Sequence, residues 1–323
     1  MPQPHPAPLD EGVTVSDPAP LRVTIAMLTY RRPDDLLAVL PMVLDQAAGV
    51  PDDVELLVVD NDPAGGAAAT VAPFGARVRY EHEPTPGIAA GRNRALDAAA
   101  QADLMIFIDD DERPTPGWLG SLLDVYRDSR PAAVVGPVVS EMAVPLEPWV
   151  EAGRFFDRRR LPTGSPIDVA ATNNLLLDLH VVRDLGLRFD AAFGLSGGSD
   201  TLFTRRLAGS GVRMLWCDEA IVTDVVPADR TTREWVLHRA RRSGNSASRC
   251  AVALAGGAPQ RLVVRTRAVA AGSVRVVTGT ARSVLGRVTR SDVHDAKGRR
   301  TAARGRGMIS GALGSVVFDY ARS

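Results

Sequence analysis

Five apolar residues in a row, Leu104-Met105-Ile106-Phe107-Ile108, run straight into three aspartates, Asp109-Asp110-Asp111. A run of that length reads as a buried strand of a parallel sheet. Such strands present functional side chains at their carboxyl ends, where ligands bind. Three carboxylates side by side repel one another, and a hard divalent cation is the natural group to join them. The plain alternative is a solvated acidic turn.

The text around this run repeats one rhythm. Strands are expected at 21–28, 54–59, 77–81, 104–108 and 132–139. Helical spacing lies between them, at 34–46, 67–71, 87–100 and 116–126. Strand, helix, strand, helix is the signature of a doubly wound, mostly parallel α/β sheet. Beyond residue 140 the pattern loosens. Strands are expected at 169–178, 213–217 and 220–223, and helices at 180–185, 201–208 and 233–248, with a glycine-rich loop over 193–200.

At 323 residues the chain is long enough for one large α/β domain with additions. Its two cysteines, Cys217 and Cys250, are too few for a disulfide framework or a cysteine-ligated zinc site, which points to a reducing, cytoplasmic compartment. Residues 1–20 hold six prolines and no apolar core, so they read as a disordered tail and not as a signal peptide. No uncharged stretch reaches the roughly 18–20 residues a membrane span needs.

The net charge of zero conceals an uneven distribution. Residues 236–323 carry 17 of the 38 Lys/Arg and three of the 38 Asp/Glu, a net of +14 against −14 for the rest. A basic extension on an acidic body suggests an anionic surface as partner. Nucleic acid is not expected, because interleaved aromatics are missing. On a helical wheel of residues 261–290, Arg261, Arg265, Arg275, Arg282, Arg287 and Arg290 fall within an arc of roughly 140°. Val263, Val274, Val277, Val284, Leu285 and Val288 lie opposite. Gly272, Gly279 and Gly286 fall on the polar side and each weakens a helix by about 1 kcal/mol. Two readings follow: an interfacial helix on an anionic membrane, at the inner face of the cell membrane, or a helix docked on the protein's own body with its arginines facing water.

The expected strand ends carry the chemistry. The first is Thr29-Tyr30-Arg31-Arg32-Pro33, the second Asp60-Asn61-Asp62-Pro63, the fourth Asp109-Asp110-Asp111-Glu112, and Gly87–Asn93 opens a helix between the last two. Carboxylates and an amide can grip a base and ribose. A helix N-terminus with an arginine can hold phosphate. No GxGxxG follows the first strand, and the sole lysine, Lys297, is in no glycine-rich loop, which disfavours dinucleotide oxidoreductases and excludes Walker-type NTPases. An aspartate-nucleophile phosphatase would carry its DxD on the first strand, with a small residue where this chain has Arg113.

The segments TIAMLTYRRPDDLLAVL, VELLVVDNDP, VRYEHEPTPGIAAGRNRALDAA, LMIFIDDDERPTPGWLGSLL and FDAAFGLSGGSDTLFTRRLAGSGVRMLWCDEAIV together resemble a family 2 glycosyltransferase with the GT-A fold, of the bacterial group that builds exopolysaccharide and cell-surface glycans. The resemblance covers roughly residues 21–250, with 21–140 as the nucleotide-sugar half, 141–250 as the acceptor and catalytic half, and 251–323 as a basic helical extension. It implies inverting transfer of a sugar from a nucleoside-diphosphate donor to a hydroxyl of a glycan, lipid-linked glycan or natural product, assisted by Mg²⁺ or Mn²⁺.

Carried over residue by residue, Thr29, Tyr30 and Arg32 match the first nucleotide-binding turn. Asp60 matches the acid that reads the base, with Asn61 beside it, and Arg92 matches the arginine that contacts the nucleotide. Asp109 and Asp111 match the DxD pair, with Asp110 between them on the nucleotide-sugar side and Asp111 as the direct metal ligand. Asp200 matches the catalytic base, and its alternative is an N-cap of the helix that follows. Two positions depart from the family. Ser199 stands where relatives have glutamate. Asp224 stands where they often have a histidine near the metal, so it is either a third metal ligand or a solvated turn residue. These departures leave a catalytically weakened nucleotide-sugar-binding scaffold as the second reading. Arg239, Arg241 and Arg242 face either a diphosphate or water, and Trp149 is the best of the four tryptophans for a sugar platform.

Overall fold

The computed structural model describes residues 19–318. The 1–18 part of the expected N-terminal tail lies outside the described residues.

Strand β1 (Arg22–Thr29) leads into α1 (Pro33–Ala48), followed by β2 (Asp53–Asp60), the short α2 (Ala68–Val71), β3 (Val78–His82), α3 (Ile88–Ala98) and β4 (Leu104–Asp109). The apolar run is therefore β4 itself. Then come β5 (Glu112–Pro114), α4 (Trp118–Ser129), β6 (Ala133–Val135), β7 (Val138–Met142), α5 (Pro148–Gly153), β8 (Asn174–Asp178), α6 (Leu179–Asp184), α7 (Ser199–Gly209), β9 (Met214–Trp216) and β10 (Val222–Val226). Three long helices close the chain: α8 (Arg233–Ala253), α9 (Ala258–Val288) and α10 (Asp292–Ala312).

Seven strands form the main sheet in the order β3-β2-β1-β4-β8-β6-β9, parallel except for β8. Alternate residues of each central strand enter opposite cores. Val23, Ile25, Leu104 and Ile106 pack with α1 and α4, while Ala26, Met105 and Phe107 pack with α3, α6 and α7. This explains why β4 reads as an unbroken apolar run. The parallel register sets Thr29 opposite Asp60 and Leu28 opposite Asp109, so the functional strand ends share one edge.

The expected strand over 132–139 is two strands. Gly136-Pro137 separates β6, in the main sheet, from β7, in a second sheet ordered β5-β10-β7. Proline cannot donate to a ladder, so a single strand is broken there. The second sheet pairs Asp224 of β10 with Glu112 of β5, bringing residue 224 beside the triple aspartate.

Helix α10 lies between α8 and α9, and α9 touches the rest of the chain chiefly through α10. The glycines decide this packing. A Cβ on Gly279 would stand 2.6 Å from the Ala302 nitrogen and 2.7 Å from the Gly298 oxygen, and one on Gly305 would stand 2.6 Å from the Gly272 oxygen. Small residues at seven-residue spacing on both antiparallel helices let the backbones nearly touch. Gly272, Gly279 and Gly286 are thus the docked face of α9. The helix is thus docked on the protein's own body with most of its arginines exposed, one of the two arrangements expected, but it docks through glycine and its valines face outward. Asp295 pins the arrangement by accepting from Ser283 at 2.5 Å, from Trp149 at 2.9 Å and from Arg299 at 3.2 Å.

Candidate active site

Two cavities open at the carboxyl edge of the main sheet. The first, of about 460 Å³, is lined by Thr29, Tyr30, Arg32, Asn61, Asp109, Asp110, Asp111 and Asp224, together with Glu112 and Trp235. The second, of about 780 Å³, is lined by Arg92, Ser199, Asp200, Arg205 and Arg304 among others. Ile88, Arg239 and Arg242 line both. The structure thus gathers most of the residues singled out in the sequence into two adjoining chambers. Of the residues singled out for donor, metal or catalysis, Asp60 alone lines neither.

Asp60 is wholly buried and its carboxylate is occupied by the turn that follows β2. It accepts from the Asp62 nitrogen at 2.9 Å, the Ala67 nitrogen at 2.8 Å and the Tyr80 hydroxyl at 3.0 Å. Asn61 reaches the first cavity and ties down the next segment. Its Nδ2 donates to the Glu83 and Thr85 carbonyls at 2.9 and 2.7 Å, and its Oδ1 accepts from the Gly87 nitrogen at 3.1 Å.

The triple aspartate is crowded, with Asp110 buried and Asp109 and Asp111 partly so. Burial, with Asp111 and Asp110 alongside, pushes the Asp109 carboxyl up to about 7, against the pull of Arg92 and Arg32. Burial and Asp111 likewise push Asp110 up to about 6, although Arg32 and Thr29 oppose this. Glu112 is raised well above the carboxylate range by burial and by Asp109. Asp110 is held rather than free. It accepts from Thr29 Oγ1 at 2.8 Å and from Arg32 at 2.9 Å. Asp111 accepts from Arg32 at 2.6 Å and pairs with Arg230 at 3.4 Å. Burial works against the charge on Arg32, but Asp110 and Asp111 outweigh it and the guanidinium is held protonated.

Asp224 faces the same cavity and is paired with Arg158 at 2.6 Å. Asp109, Asp111 and Asp224 all line this cavity and offer oxygen donors of the kind a hard divalent cation takes. Among the described residues, no three acidic, histidine or cysteine side chains converge on one metal position. Arginines 32, 158 and 230 occupy the carboxylates and hold their charge in balance. Sequence reasoning gave no role to Arg158 or Arg230: Arg158 lies in an irregular loop and Arg230 in a short 3-10 turn after β10, and neither carries a local signal of its carboxylate partner.

Gly197 and Gly198, at φ 73° and 95°, turn the chain into α7. A side-chain-bearing residue is rarely held at these angles. Helix α7 then starts at Ser199, with Gly198 at its N-cap position, so Asp200 sits inside the first turn. Its Oδ1 accepts from the Thr201 nitrogen at 2.7 Å. Arg92, buried on α3, donates to Ser199 Oγ at 2.9 Å and stacks over the Phe189 ring at 5.5 Å.

Arg239 stacks over Trp235 at 5.3 Å and forms no ion pair among the described residues. Burial, then Arg158 and Arg242, lower it to about 10. Arg241 turns away to a groove beside α9 and α10. Trp149 is not a sugar platform: it is buried against Asp295 and Phe155. The tryptophan that lines a cavity is Trp235, stacked with Phe156 at 6.3 Å.

Residues 24–183 match the family model for glycosyl transferase family 2. The succinoglycan biosynthesis protein ExoM of Rhizobium meliloti (strain 1021) is 33% identical over 248 residues, which is 74% of this chain and 78% of that protein. A pre-mycofactocin glycosyltransferase of Mycobacterium tuberculosis is 28% identical over 206 residues, 61% of this chain and 41% of that protein. Among solved structures, GalNAc-T7 with UDP, GalNAc and Mn²⁺ superposes with a TM-score of 0.52 at 13% identity, covering 73% of this chain and 48% of that one. The fold, the strand-end motifs and these likenesses agree: the chain belongs to glycosyl transferase family 2 and has the GT-A fold.

Proposed function

We propose that this chain is an inverting, metal-assisted glycosyltransferase that moves a sugar from a nucleoside-diphosphate donor to a hydroxyl of a glycan or lipid-linked glycan. The observation that carries the reading is the pair of adjoining cavities, one lined by Asp109, Asp111 and Asp224 and the other by Asp200. Donor and acceptor then meet at the shared wall of Ile88, Arg239 and Arg242.

In this reading Asn61 and the turn ordered by Asp60 receive the nucleoside, while Thr29, Tyr30 and Arg32 line its entrance. Asp109, Asp111 and Asp224 hold Mg²⁺ or Mn²⁺, which when bound supplies Lewis-acid stabilisation of diphosphate charge. Asp200 accepts the proton of the acceptor hydroxyl. The hydroxyl oxygen forms the new bond to the anomeric carbon as the bond to the diphosphate oxygen breaks on the opposite face, which inverts the centre. Arg92 and Arg239 place positive charge where the diphosphate gains its negative charge. Ser199 favours this use of Arg92, because a hydroxyl leaves the guanidinium charge unneutralised where a glutamate would pair with it.

In this reading the basic C-terminal extension would hold the enzyme at an anionic membrane, peripheral to it; among the described residues no helix is long and apolar enough to cross one. The test of the catalytic reading is release of nucleoside diphosphate across a panel of sugar donors with Mn²⁺, wild type against Asp200→Asn and Asp111→Asn. Wild-type turnover lost in both variants supports transfer. Equal behaviour of all three sinks it and favours the scaffold reading.

A further inference from the structure

Helix α9 wears its amphipathicity inside out. At about 100° per residue, the docked residues Gly272, Gly279, Ser283 and Gly286 span an arc of roughly 60°. Val263, Val274, Val277, Val284, Leu285 and Val288 span roughly 100° centred on the opposite side. All six are exposed, Val277 at 68% and Val288 at 76%. A helix docked through glycine, with valine and leucine left to water, forfeits the burial that ordinarily holds a surface helix in place. The stripe runs the length of a 31-residue helix, about 46 Å at 1.5 Å per residue.

The charges around the stripe identify its occupant. Helix α9 carries Arg261, Arg265, Arg267, Arg275, Arg282 and Arg287 and no acid, and no acid occurs anywhere between Glu234 and Asp292. All of these arginines except the half-buried Arg265 are exposed. On the same wheel Arg267 borders the stripe, Arg275, Arg282 and Arg287 lie roughly 110–130° from its centre, and Arg261 and Arg265 lie on the docked side. A second copy seated on the stripe would bring together two helices that each carry six arginines, with no carboxylate on either α9 to answer them. An anionic lipid surface meets both demands. Its acyl boundary takes the valines, and its phosphates take Arg267 at the edge of the stripe and Arg275 and Arg282 on its flank, whose long stems reach towards the surface.

We infer that α9 is an in-plane membrane-docking helix whose outward Val263–Val288 stripe and flanking arginines seat the protein on anionic lipid. Gln260 and Val264, in its first turns, also line the cavity that holds Asp200. Docking through α9 therefore sets the acceptor cavity beside the lipid surface, within reach of a lipid-linked acceptor. The inference deepens the peripheral-membrane part of the reading above and is independent of the catalytic assignments.

The test uses the full chain in co-sedimentation with phosphatidylcholine vesicles, with and without phosphatidylglycerol. The variants are Val277→Glu/Val288→Glu and Arg275→Gln/Arg282→Gln. The substituted side chains are exposed, so circular dichroism and melting should match wild type. Binding to phosphatidylglycerol vesicles that weakens about tenfold or more in the valine variant, and falls with salt in wild type, supports the inference. A wild type that ignores these vesicles overturns the membrane location itself. A wild type that binds while the valine variant binds equally overturns the α9 surface and leaves the location standing. A wild-type dimer in light scattering that the valine variant renders monomeric shows the occupant to be a second copy and overturns the lipid assignment.

Discussion

Arg92 donates to the hydroxyl of Ser199 at 2.9 Å, joining α3 to the first residue of α7 in the wall of the second cavity. The guanidinium has a neutral partner here, and its charge bears on Asp109. Arg92→Ala should therefore lower donor kcat/KM by roughly 10- to 100-fold. Arg92→Lys should recover only part of the loss, because an ammonium lacks the planar fork that stacks on Phe189. Steady-state kinetics of nucleoside-diphosphate release checks both.

Asp200→Asn should depress kcat by roughly 100- to 10,000-fold while donor KM stays within about twofold. The amide oxygen can still accept from the Thr201 nitrogen, so the melting temperature should hold. A large fall in melting temperature with only a modest kinetic effect would make Asp200 a helix-start residue and nothing more.

Removal of divalent metal by a chelator should abolish transfer, and Mn²⁺ or Mg²⁺ should restore it. Asp111→Asn takes the carboxylate from between Arg32 and Arg230. Its activity should stay low at metal concentrations that saturate wild type. Calorimetric titration of nucleoside diphosphate with and without metal should show the same dependence, separating metal-assisted binding from chemistry.

Gly279→Ala tests the helix pair. Helix propensity alone favours alanine by about 1 kcal/mol. The added Cβ would meet backbone atoms of Gly298 and Ala302 at 2.7 and 2.6 Å, and backbone cannot swing aside as a side-chain tip can. Overpacking of this kind costs about 1–3 kcal/mol, so the net effect should be destabilising. Denaturant melts of the full chain read it directly. Stabilisation would show that α9 and α10 are not closely apposed.

Asp295 gives the helix pair a pH dependence. Burial alone would raise its carboxyl, but the bonds from Ser283 and Trp149 and the charges of Arg299 and Arg287 outweigh that and lower it below the usual value. A carboxyl whose folded value is depressed contributes stability that is fully present above its unfolded value, about 3.9, and is lost as pH falls through the lower folded value. The α9–α10 pair should therefore loosen in acid before the sheet does. Asp295→Asn should remove that step. Hydrogen exchange of α10 amides across the acid range is the measurement.

Much of the sheet was legible because β1, β2 and β4 carry periodic signals that need no distant partner. Thr29, Asn61 and Asp109 could be placed at one edge because parallel strands align their ends. The glycines of α9 were misread for the opposite reason. A wheel places Gly279 on the arginine side, but only the partner helix reveals that this side is the interface. Trp235 and Trp149 exchanged roles on similar grounds. Each is an aromatic beside a helix start, and the one that meets a cavity is decided by where α10 lies. Asp224 is intermediate. Its slot was readable from the sequence, yet its neighbours Glu112 and Arg158 come from the β5–β10 pairing and an irregular loop.

Arg239 belongs to both chambers. A side chain that borders two binding spaces ties their chemistries together, so any substitution there is felt twice. On the proposed assignment of donor and acceptor to the two cavities, efforts to retarget this enzyme to a new sugar by reshaping the donor side would also redraw the space offered to the acceptor. The two specificities would have to be selected in a single screen, with both substrates varied together, and not installed one after the other as separable modules.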